Sequence, residues 1–206
     1  MAVSKPVILG VVCMAIVVVL SNILVQHLFG DWLTWGAFTY PIAFLVTDLT
    51  NRALGPSKAR QVVFAGFVVG VICSLVASQM VNADGYALTT LRIAVGSGVA
   101  FLTAQLVDVF IFDRLRAGAW WRAPLASTLI GSALDTALFF SIAFSAAFAF
   151  IDPADPNGWA LDPVPLLGMG PVAPLWVSLA VADFTVKLAL AMLALAPFRA
   201  LSARMA

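Results

Sequence analysis

Charge is nearly absent from long stretches of this chain and concentrated in the short segments between them, and that arrangement decides the solvent in which it folds. Apolar stretches recur near residues 6–28, 36–51, 60–81, 89–112, 123–150 and 172–197. A helix needs about 20 such residues to cross a hydrocarbon core of about 30 Å. Hydrophobic residues make up 63% of the 206, and only 10% are Asp, Glu, Lys or Arg. A soluble domain carries about 25% charged residues to cover its surface. In lipid that shortage is no handicap, because the outer surface should be apolar. The expected fold is therefore all-α: a polytopic membrane bundle of six transmembrane helices, forming a single domain over residues 1–206.

The connectors orient the bundle. Lys5 precedes the first stretch, and Arg52, Lys58 and Arg60 flank the turn after the second. Arg114, Arg116 and Arg122 flank the turn after the fourth, and Arg199 and Arg204 follow the sixth. These are nine of the eleven basic residues, and six crossings put all nine on one side. The other side holds Asp31, Asp84, Asp152, Asp155 and Asp162 with no Lys or Arg. Basic residues favour the cytoplasmic face, so both termini are expected there. An odd number of crossings would put a basic cluster outside.

Two stretches need separate treatment. Lys5 followed by the run from Val7 to Leu20 has the look of a signal peptide. No convincing small-x-small cleavage site follows, so it is read as a retained first span. The second stretch is short and contains Pro41, which would kink the helix or mark a break. Broken helices often line transporter sites, but kinks also occur in purely structural helices. The fifth stretch is long, and its end from Phe144 to Ile151 can project beyond the membrane. The connector near 152–172 is rich in Pro, Gly and Asp and reads as an outer cap or solvent loop.

Several function classes fall away on composition. A formal net charge of +1 gives no concentrated basic face for nucleic acid. Cys13 and Cys73 lie in apolar runs and read as small hydrophobes, and neither they nor His27 has metal-ligand spacing. With one histidine and no glutamate, there is little material for a nucleophile–base set, so an enzyme is not expected. No cofactor or metal is implied. A purely structural role is disfavoured by ionisable groups placed within the spans.

Those groups are Asp48, Arg92, Asp108, Asp135, Asp183 and Lys187, four acids and two bases with a formal sum of minus two. Each charge at mid-membrane costs roughly 2.5–3.5 kcal/mol on insertion scales, so it normally faces a partner, a bundle interior or a water path. Asp48 stands four residues before Arg52 and Asp108 six before Arg114, so end-of-helix pairing or snorkelling would satisfy both. Arg92 lies near the outer end of the fourth span and can snorkel. Asp183 and Lys187, four apart, form either a structural pair or part of a solute site. Asp135 has no neighbouring residue of opposite sign and is surrounded by Ser127, Thr128, Ser132 and Thr136, which makes it the leading candidate for a solute ligand. Gly66 and Gly70 form a G-x-x-x-G step suited to helix packing.

The run Trp35–Gly36–Ala37–Phe38–Thr39–Tyr40–Pro41, followed by Phe44–Leu45–Val46–Thr47–Asp48–Leu49–Thr50–Asn51–Arg52, resembles the queuosine precursor transporters, a vitamin-uptake-transporter-like family. The same holds for Arg92, for Gln105–Leu106–Val107–Asp108 with Phe112 and Leu115–Arg116, and for Trp120–Trp121 through Pro124. Ser127–Thr128, Gly131, Asp135–Thr136, Phe139–Phe140 and the spaced Asp183 and Lys187 also fit. The likeness runs from about residue 20 to 195 and leaves the long outer connector aside.

The resemblance implies a multi-pass protein of the bacterial inner membrane that imports 7-cyano-7-deazaguanine or 7-aminomethyl-7-deazaguanine for tRNA queuosine synthesis. It implies a small deazapurine and membrane lipid as partners, no nucleic acid, and no dedicated ATPase; a homodimer is compatible with it. A carboxylate can accept from the two adjacent donors of a deazaguanine, so Asp135 or Asp183 is placed at that edge. Asn22, Gln79 and Gln105 are the candidate amides, and Tyr40 and Phe139 the candidate stacking rings. Lys187, Asp108, Arg92 and Asp48 are candidates for ion pairing or for coupling proton entry to solute entry. The alternative is a solute-binding membrane subunit that needs a separate energising module.

Overall fold

Residues 4–83 and 85–205 are described by the structure, a computed structural model. Asp84, assigned above to the outer side, lies outside the described residues.

Local chemistry sets the helix starts. Ser4 holds the N-cap position of α1 (Lys5–Leu24) through its backbone carbonyl, which accepts from Val7 N at 3.0 Å, and Pro6 occupies the first turn, where a missing N–H costs nothing. Gly55, at φ +83°, turns the chain from α3 (Ile42–Leu54) directly into α4 (Pro56–Ala77). Only glycine takes that backbone angle without strain, and Pro56 pre-sets the helix that follows. Thr90 accepts from Ile93 N at 3.3 Å and opens α5 (Leu91–Leu115). After α6 (Arg122–Phe144) the chain tightens into a 3₁₀ turn over Ala146–Ile151, so the long fifth stretch stops being an α-helix at Phe144. The last helix, α7 (Leu175–Met205), carries Pro197 inside it.

Five of these helices, α1, α4, α5, α6 and α7, are long and apolar enough to cross a membrane. The second apolar stretch gives no helix of that length. It divides into α2 (Gly36–Thr39) and the 13-residue α3, with Tyr40 and Pro41 between them. Thirteen residues rise only about 20 Å. The cause is Pro41, which has no N–H to return to the preceding turn; short bonds from Ala43 N to Tyr40 O and Phe44 N to Pro41 O carry the chain across.

The all-α expectation misses two small antiparallel ribbons. β1 (Leu28–Phe29) pairs with β2 (Leu33–Thr34), with Leu28 opposite Thr34. β3 (Pro163–Pro165) pairs with β4 (Val172–Pro174), with Val164 opposite Ala173. The second ribbon and its 3₁₀ turns give the long connector near 152–172 a definite structure.

α5 and α6 run antiparallel at close range. A Cβ on Gly96 would stand 3.3 Å from Phe139 O, and one on Gly131 would stand 3.4 Å from Ala104 O. Small residues at such points let backbones approach, which is how helices associate in lipid. α1, α3, α4 and α5 share a core of Met14, Ala43, Val62, Val63, Phe101 and Val109. Leu9, Ile16, Ile23, Leu75 and Leu193 face outward, an arrangement suited to lipid.

The two ends of the bundle differ. At one, Arg52 Nη1 donates to Arg116 O at 3.0 Å and the Arg199 guanidinium stacks on Trp120 at 4.9 Å. At the other, Arg92 donates to Ser145 O at 2.7 Å and lies 3.9 Å from Asp155. The chain is an all-α, multi-span membrane bundle apart from its short ribbons.

Candidate functional site

Two helices and a helix break bring a charged cluster into the interior. α7 supplies Asp183 and Lys187, one turn apart on the same face. α6 supplies the adjacent Asp135 and Thr136. The break between α2 and α3 supplies Tyr40. Lys187 Nζ lies 2.7 Å from Asp135 Oδ2 and 2.6 Å from Asp183 Oδ2. It donates to Thr136 Oγ1 at 3.1 Å, and that hydroxyl donates to Asp183 Oδ2 at 2.8 Å. Tyr40 OH donates to Asp135 Oδ1 at 3.4 Å, and its ring centre stands 5.6 Å from the ammonium.

Asp135, which has no residue of opposite sign near it in the sequence, takes its counter-ion from Lys187, 52 residues away in the chain. The i,i+4 spacing of Asp183 and Lys187 does make a pair, but one ammonium serves two carboxylates. The cluster carries a formal charge of minus one. It is also asymmetric. The Lys187 and Asp135 side chains are 4% and 5% exposed, whereas Asp183 is 14% exposed and is its most open member. Such a group can hold a planar solute with adjacent N–H donors and a carbonyl: carboxylates for the donors, ammonium for the carbonyl, and the half-buried Tyr40 ring for a face.

The other candidates are distributed differently. Asn22 is half-buried and donates to Val18 O of its own helix at 2.9 Å. Gln79 lies beyond the end of α4, exposed, donating to Ser78 Oγ, and so does not point into the interior. Phe139 packs edge-on against Phe140 and Phe144 in an aromatic cluster that also takes in Ala160 of the long connector. Arg92 does not snorkel. It is buried, with Nε donating to Ile142 O at 3.2 Å, and holds the end of α6 near Asp155.

Gln105, Asp48 and Asp108 belong to a second buried group, between α3, α5 and α6. Thr47 Oγ1 donates to Gln105 Oε1 at 2.5 Å, and Asn51 Nδ2 donates to Val109 O at 3.0 Å. Ser127 and Thr128 each donate to Asp48 at 3.3 Å. The expected pairings with Arg52 and Arg114 do not form. Arg52 is turned to the Arg116 carbonyl, and Arg114 stacks on Phe110 at 4.8 Å. Both arginines sit near their helix ends, where backbone carbonyls and water compete for them, while Asp48 and Asp108 turn inward.

Thr136, one of the hydroxyl residues around Asp135, bridges Lys187 and Asp183. Its adjacency to Asp135 in mid-span is the one sequence signal for that role. No cluster of three or more His, Cys, Asp or Glu that could hold a metal occurs among the described residues.

Comparison with known proteins gives concordant results. A family described as "Putative vitamin uptake transporter" matches residues 34–201. The chain is 42% identical over 142 residues to the "Queuosine precursor transporter" of Escherichia coli, covering 63% of this chain and 64% of that protein. It is 39% identical over 137 residues to the "Probable queuosine precursor transporter" of Haemophilus influenzae, covering 62% and 57%. A Bacillus subtilis protein of the same printed name is 30% identical over 148 residues, covering 63% and 62%. The chain thus spans a little under two thirds of the length of the curated relatives it matches. No solved structure matches it.

Proposed function

The chain belongs to the vitamin uptake transporter family, a family of transporters and not of enzymes, and from that premise we propose that it imports queuosine precursors across the bacterial inner membrane. The substrates are 7-cyano-7-deazaguanine, 7-aminomethyl-7-deazaguanine or both. The observation that carries this reading is the buried Asp135–Lys187–Asp183 cluster beside the helix break at Tyr40 and Pro41. Charges at that depth are costly, and a break in a spanning element leaves polar backbone where a cavity can form. The relatives named as queuosine precursor transporters supply the solute class.

α2 and α3 together make one broken crossing, giving six crossings and both termini in the cytoplasm. The basic end that joins Arg52, Arg116 and Arg199 supports this orientation. In the bound state Asp135 or Asp183 accepts from the ring N–H and exocyclic amine of the deazaguanine. Lys187 donates to its carbonyl, and Tyr40 stacks on a ring face. Entry is coupled to a cation through the excess of acids within the spans.

The test is uptake by the purified protein in lipid vesicles, comparing the two precursors with guanine. Saturable uptake of a precursor, with guanine weaker, is the expected result. Binding without uptake would transfer the assignment to a solute-binding subunit that needs a separate energising module. Absence of both would remove the substrate assignment.

A further inference from the structure

The second buried group, around Asp48 and Asp108, is left without a role by solute recognition at Lys187. Asp48 is 2% exposed and Asp108 is fully buried. The bonds from Thr47 to Gln105 and from Asn51 to Val109 draw the Asp48 segment of α3 against the Asp108 segment of α5. Neither belongs to any of the four ion pairs among the described residues. The charged groups on the surrounding helices are engaged elsewhere. Arg52 on α3 is exposed and donates to the Arg116 carbonyl, Arg116 after α5 pairs with Asp113, and Lys187 on α7 serves Asp135 and Asp183. Lys58 and Arg60 on α4 are exposed.

An independent feature of the same region is a surplus of buried, unpaired oxygens. Both Asp108 carboxyl oxygens, Asn51 Oδ1 and Ser132 Oγ have no hydrogen-bond partner among the described residues. An unsatisfied buried acceptor costs about 1–3 kcal/mol, and a charged one more. The unpaired donor nearby in sequence, Gln105 Nε2, is neutral and cannot cancel a carboxylate. A small cavity of about 10 Å³ opens on Asp48 and Thr128. That space suits about one water molecule. Pro41, Leu190 and Ala191 also line it. It lies beside Asp48 at the α3–α7 contact, between the helix break next to Tyr40 and the turn of α7 after Lys187.

We propose that Asp48 and Asp108 bind one monovalent cation, a proton shared by the two carboxyls or a sodium ion among their oxygens, and that it moves with the solute. Two carboxyls surrounded only by neutral polar groups suit a single positive charge. The cavity gives Asp48 room for about one water-sized group at the α3–α7 contact. A shift of Pro41 or of the α7 turn at Leu190 and Ala191 upon solute binding would change that space. The link to solute movement rests on the import reading, whereas the cation site itself does not.

The experiment has two parts. In the first, the purified protein carries no solute. The infrared carbonyl-stretch band of a neutral carboxyl, and thermal stabilisation by sodium against potassium, are recorded for the wild type, Asp108→Asn and Asp48→Asn. A proton site predicts a band that either substitution removes; a sodium site predicts sodium-specific stabilisation that either removes. If the wild type shows neither signal, or if both signals survive both substitutions, the proposal is overturned. In the second, vesicles carry an imposed pH or sodium gradient. Asp108→Asn should lose gradient-driven accumulation of labelled precursor yet retain exchange of labelled for unlabelled precursor. Accumulation equal to wild type would overturn the coupling role. No uptake by the wild type, with the first signal intact, would instead count against the import reading.

Discussion

The ammonium of Lys187 on α7 lies 2.7 Å from the Asp135 carboxylate on α6, although 52 residues separate them in the chain. Because Asp183 claims the same ammonium at 2.6 Å, neither carboxylate has a counter-ion to itself. Shared pairing suits a site that must open. An incoming solute can take over one carboxylate while Lys187 keeps the other, so no charge is left bare at membrane depth. Asp183, the more exposed acid, is the easier one to release.

Asp135→Asn is expected to abolish specific precursor uptake while leaving membrane insertion intact. The amide keeps the shape of the carboxylate but adds a donor where two solute donors need an acceptor. Asp183→Asn should weaken uptake less, because Lys187 and Asp135 still face each other. Initial uptake rates, set against the amount of each variant in the membrane, check the order. Normal uptake kinetics in Asp135→Asn would remove it from the site.

Lys187→Met is expected to destabilise the bundle by about 3–5 kcal/mol, the usual cost of removing one partner from a buried pair. It leaves Asp135 and Asp183 together with no cation. Adding Asp183→Asn should recover part of the loss, with a coupling energy of roughly 0.5–3 kcal/mol. Unfolding of the single and double variants in detergent measures both. Additive effects would mean that the short Lys187–Asp183 distance contributes little.

Much of this architecture is legible in the sequence, and the illegible parts share a cause. Helical spacing pairs Asp183 with Lys187, and Pro41 marks the break in a stretch already too short to cross alone. Both are local facts. The link from Lys187 to Asp135 depends on how α6 meets α7, which no spacing rule contains. The same spacing rule fails for Asp48 and Arg52: Arg52 sits in the last turn of α3, where the Arg116 carbonyl is available. Gln79 and Asn22 are polar interruptions of apolar runs, yet Gln79 lies just past a helix end and Asn22 bonds its own helix. Polarity in an apolar run indicates that a group must be satisfied, and a nearby carbonyl or an exposed helix end often suffices.

Gly131→Ala is expected to force Phe44 of α3 away from α6 and cost roughly 1–3 kcal/mol, the range for overpacking a filled core. The added Cβ would stand 2.7 Å from Phe44 Cε1. Phe44 is only 1% exposed and has little room to retreat. Gly70→Ala serves as the control, since its nearest neighbour would be Val18 Cγ1 at 3.7 Å. Thermal unfolding should distinguish them, and equal stability of the two variants would show that the Phe44 contact is not tight at Gly131.

Arg92→Gln is expected to loosen the long connector between α6 and α7 while leaving the core of α1 and α4 unchanged. Arg92 Nε donates to Ile142 O at 3.2 Å and Nη2 donates to Ser145 O at 2.7 Å, so one side chain secures the point where α6 gives way to the 3₁₀ turn. It also lies 3.9 Å from Asp155, which accepts from Thr90 at 3.2 Å and from the backbone N of Asn157 at 2.9 Å. Losing the guanidinium leaves two backbone carbonyls and a buried carboxylate without their cation. Hydrogen bonds to charged groups contribute about 1.5–3 kcal/mol each, enough to raise local opening well above its present level. Amide exchange should therefore quicken over residues 145–162 and stay slow in α1 and α4. Asp155→Asn, which keeps both Arg92–carbonyl bonds, should quicken it less. Equal exchange in wild type and Arg92→Gln would mean that β3, β4 and the bond from Leu167 N to Ser178 Oγ hold the connector without Arg92.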